Sequence, residues 1–157
     1  MKKKRPLQIS FYNDGHGWIS LKLNLPEKSI SIKLSDCFDP FPDIFRWIED
    51  ICENDMPSEI IIDEEGHGKR LVASVLTKEA KESFLLKIFD WGTEKEKLLV
   101  KSELLKYDFI MTLINRLESF VKRHENLKWD TRYELRELPF NKIKRYFKNN
   151  RLTICCT

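Results

Sequence analysis

Glycine and proline are sparse in this chain, five and six among 157 residues, so it is not a low-complexity, collagen-like or linker-dominated polypeptide. Long apolar runs are missing as well. The longest, such as Ile60-Ile61-Ile62 and Phe84-Leu85-Leu86, fall far short of the roughly 20 residues a helix needs to cross a bilayer. Met1-Lys2-Lys3-Lys4-Arg5 has the charge of a signal-peptide start, but Gln8, Ser10, Asn13 and Asp14 follow where an apolar segment and a cleavage site belong. The expectation is a cytoplasmic protein with no membrane contact. The four cysteines, Cys37, Cys52, Cys155 and Cys156, show no C-x-x-C spacing. That argues against a disulfide framework or tetrahedral zinc, and predicts reduced, mostly buried thiols. A Gly-rich phosphate loop, a Ser-centred elbow and an H-E-x-x-H pair are also absent. The sequence therefore assigns no catalytic residue, no metal ligand and no cofactor.

What is present fits one folded domain spanning residues 1–157, with the basic stretch 1–5 expected to be disordered. Hydrophobic residues make up 41% and charged residues 34%, and a chain of this length buries about two-thirds of its unfolded surface. The charge is unevenly placed. Residues 122–151 carry a net +6 and residues 2–5 a net +4, which leaves the rest at −7. An acidic body between basic ends suits protein partners, although such charge ordinarily serves solvation.

Hydrophobic periodicity gives an α+β reading. Leu7, Ile9 and Phe11 alternate with polar residues up to the turn at Asn13-Asp14-Gly15-His16-Gly17. Ile19, Leu21, Leu23 and Leu25, and after a second turn Ile30, Ile32 and Leu34, repeat the pattern. The period then changes to that of a helix over Pro40–Glu53, with Asp39 as N-cap and Pro40 at the first helical position. Strands resume at Glu59–Asp63, Arg70–Leu76, Phe84–Phe89 and Lys97–Val100, a four-stranded meander. Ser102 is placed as the cap of a long helix over Ser102–Arg123, whose stripe is Leu105, Phe109, Leu113, Leu117 and Phe120. Leu127–Leu138 is ambiguous, Asn141–Asn149 reads as a short basic helix, and Leu152–Cys156 as a terminal strand. The prediction is a mostly antiparallel sheet of about six to eight strands with two packed helices and a basic C-terminal helix.

Two turns share the tripeptide Gly-His-Gly, at residues 15–17 and 66–68, each preceded by acidic residues. Counting strand directions puts both turns, the Ser35–Pro42 loop and His124 at one end of the sheet. Asp14, His16, Asp36, Asp39, Glu64, Glu65 and His67 are thereby candidates for binding a partner or ligand at one rim. Imidazole with carboxylate also suits a metal-dependent enzyme, with His16 and His67 sharing an ion. A histidine between glycines in a turn is, however, ordinarily an exposed polar residue. Cys37 has carboxylates on both sides, which disfavour a thiolate nucleophile. Lys142, Lys144, Arg145, Lys148 and Arg151, interleaved with Tyr146 and Phe147, are the mix used to hold phosphate and stack bases. The spacing of Ile143, Tyr146 and Phe147 equally fits an apolar helix side buried against the sheet.

From Ile32 to Glu49 a serine-containing strand runs through Asp39-Pro40-Phe41-Pro42-Asp43 into Trp47-Ile48-Glu49, and Ile62-Asp63-Glu64-Glu65-Gly66 follows. This pattern, over about residues 18–121, resembles a loose group of small bacterial cytosolic α+β proteins. The resemblance transfers no activity and no site residues. By analogy of class it points to immunity proteins that neutralise secreted toxins. The leading functional expectation is a non-enzymatic protein–protein interaction module, with another protein as its partner. The alternatives are nucleic-acid binding through residues 122–151 and metal chemistry at the His16/His67 rim.

Overall fold

The computed structural model describes residues 3–129 and 132–154, with only the backbone course described for 151–154. Among the described residues seven strands form two antiparallel sheets. β1 (Gln8–Gly15), β2 (Trp18–Asn24) and β3 (Ser29–Ser35) make the first, and β4 (Ser58–Asp63), β5 (Gly68–Ser74), β6 (Ser83–Trp91) and β7 (Leu98–Leu105) the second, each in sequential order. The described residues also form three α-helices: α1 (Phe41–Cys52), α2 (Lys106–Arg123) and α3 (Phe140–Ile154). The α+β class, the antiparallel pairing, the meander and the basic C-terminal helix expected from periodicity are all present.

Register explains which residues go inward. In the first sheet Phe11 faces Leu21 and Leu21 faces Ile32, so Ile9, Phe11, Ile19, Leu21, Leu23, Ile30, Ile32 and Leu34 line one buried face. In the second, Ile60, Leu71 and Ile88 lie in one row, with Ala73, Leu86, Phe84 and Val100 on the same buried face. α1 and α2 fill the space inside these faces. Phe41, Ile44, Phe45, Trp47 and Ile48 of α1 and Phe109, Leu113, Leu117 and Phe120 of α2 are all buried in one contiguous core. The Trp47 indole packs edge-on to Phe109 and donates to the Ser58 carbonyl at 3.0 Å, which fastens α1 to the start of β4.

Between the sheets the backbone ladder is interrupted, and a side chain takes its place. β3 and β4 are neighbours without being paired. The buried Glu64 carboxylate, just beyond β4, accepts the Lys33 backbone N–H of β3 at 3.0 Å, and Glu65 accepts from the Ser35 hydroxyl at 3.1 Å. An edge amide that would otherwise be unsatisfied is thus partnered by a charged acceptor.

Several expectations are corrected. Ser102 does not cap α2; it sits in β7 opposite Leu86 on the buried face, and the helix begins at Lys106. Pairing with β6 extends β7 to Leu105, so tertiary pairing overrides a local cap signal. α1 runs over Phe41–Cys52, and Asp39 reaches the Phe41 amide at 3.1 Å from one position further out than a standard cap. The C-terminal helix is longer than Asn141–Asn149 and continues through Ile154, so a strand does not start at Leu152; Cys155 and Cys156 lie outside the described residues. The described residues of the ambiguous stretch before it are irregular apart from a 3-10 turn at Leu135–Glu137. Cys52 is buried as expected, whereas Cys37 is exposed. Of the basic start, Lys3, Lys4 and Arg5 are exposed and outside regular structure, and residues 1–2 are not described.

Candidate functional site

The rim residues are brought to one end, as the direction count anticipates, but most of them are spent on holding the fold. Asp14 accepts from the Ser20 hydroxyl and from Lys33 Nζ at 2.9 Å, and these contacts, the hydroxyl foremost, lower its carboxyl below the ordinary value. Asp39 accepts from the Phe41 amide, from Trp129 Nε1 at 3.0 Å and from the Tyr133 hydroxyl, tying the segment after α2 to the start of α1. Glu64 carries the inter-sheet bond and lies 3.4 Å from Lys69 and 3.7 Å from the His67 imidazole. Glu65 holds Ser35. Asp36 lies against Gly17, whose missing side chain leaves the space that its carboxylate occupies.

The two Gly-His-Gly turns differ in conformation. In the first, Gly15, His16 and Gly17 all have positive φ; in the second the left-handed residues are Glu65 and Gly66. Gly68 is already in β5, where a Cβ would meet the Ile62 carbonyl oxygen at 1.9 Å. The shared tripeptide reflects two separate backbone demands. His16 shares a shallow groove of about 620 Å³ with Asp36 and His124. The His124 ring stacks on Phe120 at 4.4 Å and its Nδ1 lies 2.9 Å from the Phe120 carbonyl oxygen. Among the described residues no group of three or more His, Cys, Asp or Glu side chains is arranged to hold a metal ion.

The basic tail is likewise engaged. Lys142 pairs with Glu49 and Lys144 with Glu118, each at 2.8 Å, while Arg145 donates to the Asn141 carbonyl at 3.4 Å. Lys148 is exposed, and the Arg151 side chain lies outside the described residues. Tyr146 and Phe147 are half-buried, and both meet helices. Phe147 packs edge-on to Tyr107 at the start of α2, and the Tyr146 hydroxyl donates to the Cys52 carbonyl at the end of α1. They line a hollow of about 410 Å³ together with Cys52 and Lys106. Burial there raises the Cys52 thiol to about 12 and lowers the Lys106 ammonium, which donates to Asn54 at 3.0 Å.

The surface that departs from ordinary packing is the outer face of the second sheet, which none of these candidates includes. The first sheet supplies an internal reference. Its outward positions, Gln8, Ser10, Ser20, Lys22, Asn24, Ser29, Ser31 and Lys33, are polar, with Tyr12 and Trp18 at the turn end the aromatic exceptions, as a largely solvated antiparallel face requires. On the second sheet the equivalent positions include Ile61, Val72, Leu85, Phe89, Trp91 and Leu98. None is buried; Ile61 is 42% and Leu98 46% exposed, and the other four are half-buried. A few polar groups are set among them. Arg70 lies 4.4 Å over the Phe89 ring and pairs with Glu59 at 2.7 Å and Glu96 at 2.5 Å. Lys87 faces Lys101 across the β6–β7 pair. The signal was legible in β6, where Ser83-Phe84-Leu85-Leu86-Lys87-Ile88-Phe89 is apolar on both faces instead of alternating.

No family model, curated protein or solved structure matches this chain. Among the described residues, no helix is long and apolar enough to cross a membrane.

Proposed function

We propose that the chain is a non-enzymatic protein–protein interaction module that binds through the outer face of β4–β7. One observation carries the reading: a four-stranded sheet face with Ile61, Val72, Leu85, Phe89, Trp91 and Leu98 on it, none of them buried, beside a sister sheet whose outer face is polar apart from Tyr12 and Trp18. Contiguous exposed apolar surface rimmed by charge is characteristic of interaction sites, and the core of such a site is enriched in aromatic residues and arginine. Phe89, Trp91 and the stacked Arg70 fit that composition. A flat sheet face suits another folded protein better than a small molecule, which is bound in concave sites. The most concrete version is an immunity-type protein of the bacterial cytoplasm that neutralises a toxin by covering it.

Affinity capture from the native host with the full chain and with Leu85→Ser/Leu98→Ser tests this reading. Both positions point outward, and thermal unfolding checks that the variant is folded. Stoichiometric recovery of one protein by the wild type, lost in the variant, is the expected result. Recovery of ribosomes or nucleic acid alone, or capture indifferent to the substitutions, refutes it.

A further inference from the structure

We infer that the partner on this face is an acidic protein surface whose carboxylates sit over Lys87 and Lys101; the inference rests on the reading of the β4–β7 face given above. These two lysines are direct cross-strand partners on β6 and β7. Directly opposed side chains in an antiparallel pair have Cβ atoms about 4.5–5.5 Å apart, and like charges so placed repel. Two other outward cations of the sheets are answered by carboxylates, Arg70 by Glu59 and Glu96 and Lys33 by Asp14, and Lys22 on the polar sheet stands opposite Ser31, so it is the direct pairing of two cations amid apolar residues that sets Lys87 and Lys101 apart. Among the described residues neither Lys87 nor Lys101 is within ion-pair distance of a carboxylate.

Their neighbours on the face are largely apolar. Val72 stands opposite Lys87 on β5, and Leu85 and Phe89 flank Lys87 along β6. A purely apolar partner that covered these side chains would strip water from two ammonium groups and leave them unpaired, which is strongly unfavourable. A partner presenting Asp or Glu inside an apolar rim satisfies both demands at once, and such desolvated charge pairs are strong determinants of specificity. A polyanion such as nucleic acid fits less well, because Glu103 lies opposite Leu85 and Glu59 opposite Val72 on the same face. The occupant is thus a protein that meets the face with a local acidic patch.

The test uses the full chain as bait in nuclease-treated host extract. The captured complex is then treated with a water-soluble carbodiimide, which joins a lysine amine to a carboxylate in contact with it, with loss of water. Peptide mass spectrometry should find isopeptide links from Lys87 or Lys101 to Asp or Glu of the captured protein. Lys87→Glu/Lys101→Glu should lower capture by at least about tenfold, and Lys87→Gln/Lys101→Gln by less, with thermal unfolding confirming that each variant is folded. Capture retained by the charge-reversed chain with no links from either lysine overturns the inference. If Leu85→Ser/Leu98→Ser still abolishes capture in that case, the face remains the binding surface and only the acidic chemistry fails. If neither variant alters capture, or the wild type captures nothing, both fall. Loss of capture on nuclease treatment would place nucleic acid on the face, and links only between two copies of the chain would make it a self-association surface; each overturns the inference.

Discussion

Replacing Glu64 by Ala tests whether a carboxylate substitutes for a backbone ladder between the two sheets. The side chain is only 7% exposed, and its Oε1 accepts the Lys33 amide at 3.0 Å while Oε2 lies 3.4 Å from Lys69. A hydrogen bond to a charged group contributes about 1.5–3 kcal/mol, and a buried donor left without an acceptor costs a similar amount. Lys69, whose side chain is 15% exposed, would keep only Asp90 at 3.7 Å. Together these give a destabilisation of about 3 kcal/mol, with Glu64→Gln costing about 1 kcal/mol because it retains an oxygen for the amide. In a domain of this size each kcal/mol moves the unfolding midpoint by about 2–4 °C, so Glu64→Ala should melt about 6–12 °C lower. Thermal unfolding gives the magnitude, and amide hydrogen exchange localises it, since the Lys33 amide should exchange faster in Glu64→Ala but not in Glu64→Gln. Equal midpoints for the two variants, with unchanged protection of Lys33, would refute the bridging role.

Four further outcomes are expected. Leu113 is 4% exposed and adjoins a small interior void lined also by Phe109 and Leu117, so Leu113→Ala should cost about 2–5 kcal/mol in urea unfolding; a cost below about 1 kcal/mol would contradict its packing. Ser102→Ala should be neutral or stabilising, because the Ser102 hydroxyl is buried with no hydrogen-bond partner among the described residues, whereas a helix cap would lose about 1 kcal/mol. Glu118 is held below its ordinary carboxyl value of 4.5 mainly by the Lys144 hydrogen bond, so the stability it contributes is present above pH 4.5 and lost as pH falls through the lowered value. The stability gap between wild type and Glu118→Gln should therefore close in acid, and a gap that does not change with pH would rule the linkage out. With its thiol raised to about 12 by burial, Cys52 should resist alkylation in the folded protein while exposed Cys37 reacts, as peptide-resolved mass spectrometry would show; equal labelling would place Cys52 at the surface.

Much of this fold was legible because burial writes a period into the chain. Ile19, Leu21 and Leu23 alternate, and they form the buried row of β2; Phe109, Leu113, Leu117 and Phe120 recur at helical spacing, and they form the buried stripe of α2. Both patterns follow from one residue's geometry and its neighbours, so no tertiary knowledge is needed to read them. The start of α2 was not legible in that way. Ser102 looks like a cap locally, and only its pairing with Leu86 on β6 makes it a strand residue.

The candidate site divides along the same line. The sequence by itself determined which residues carry charge, where the turns fall and which end of the sheet each turn occupies. It left open what each charge meets. Asp39, Glu64 and Lys144 are equally plausible as ligand contacts until Trp129, Lys33 and Glu118 are found beside them, at sequence separations of 90, 31 and 26 residues. Nor does a list of residues say that Lys87 stands opposite Lys101 without an acid, because that juxtaposition depends on register between β6 and β7, which the fold as a whole sets. Local periodicity decides which faces are apolar; only tertiary structure decides which apolar face is left uncovered, since that depends on where the helices are spent, and here α1 and α2 both fill the inside of the sheets.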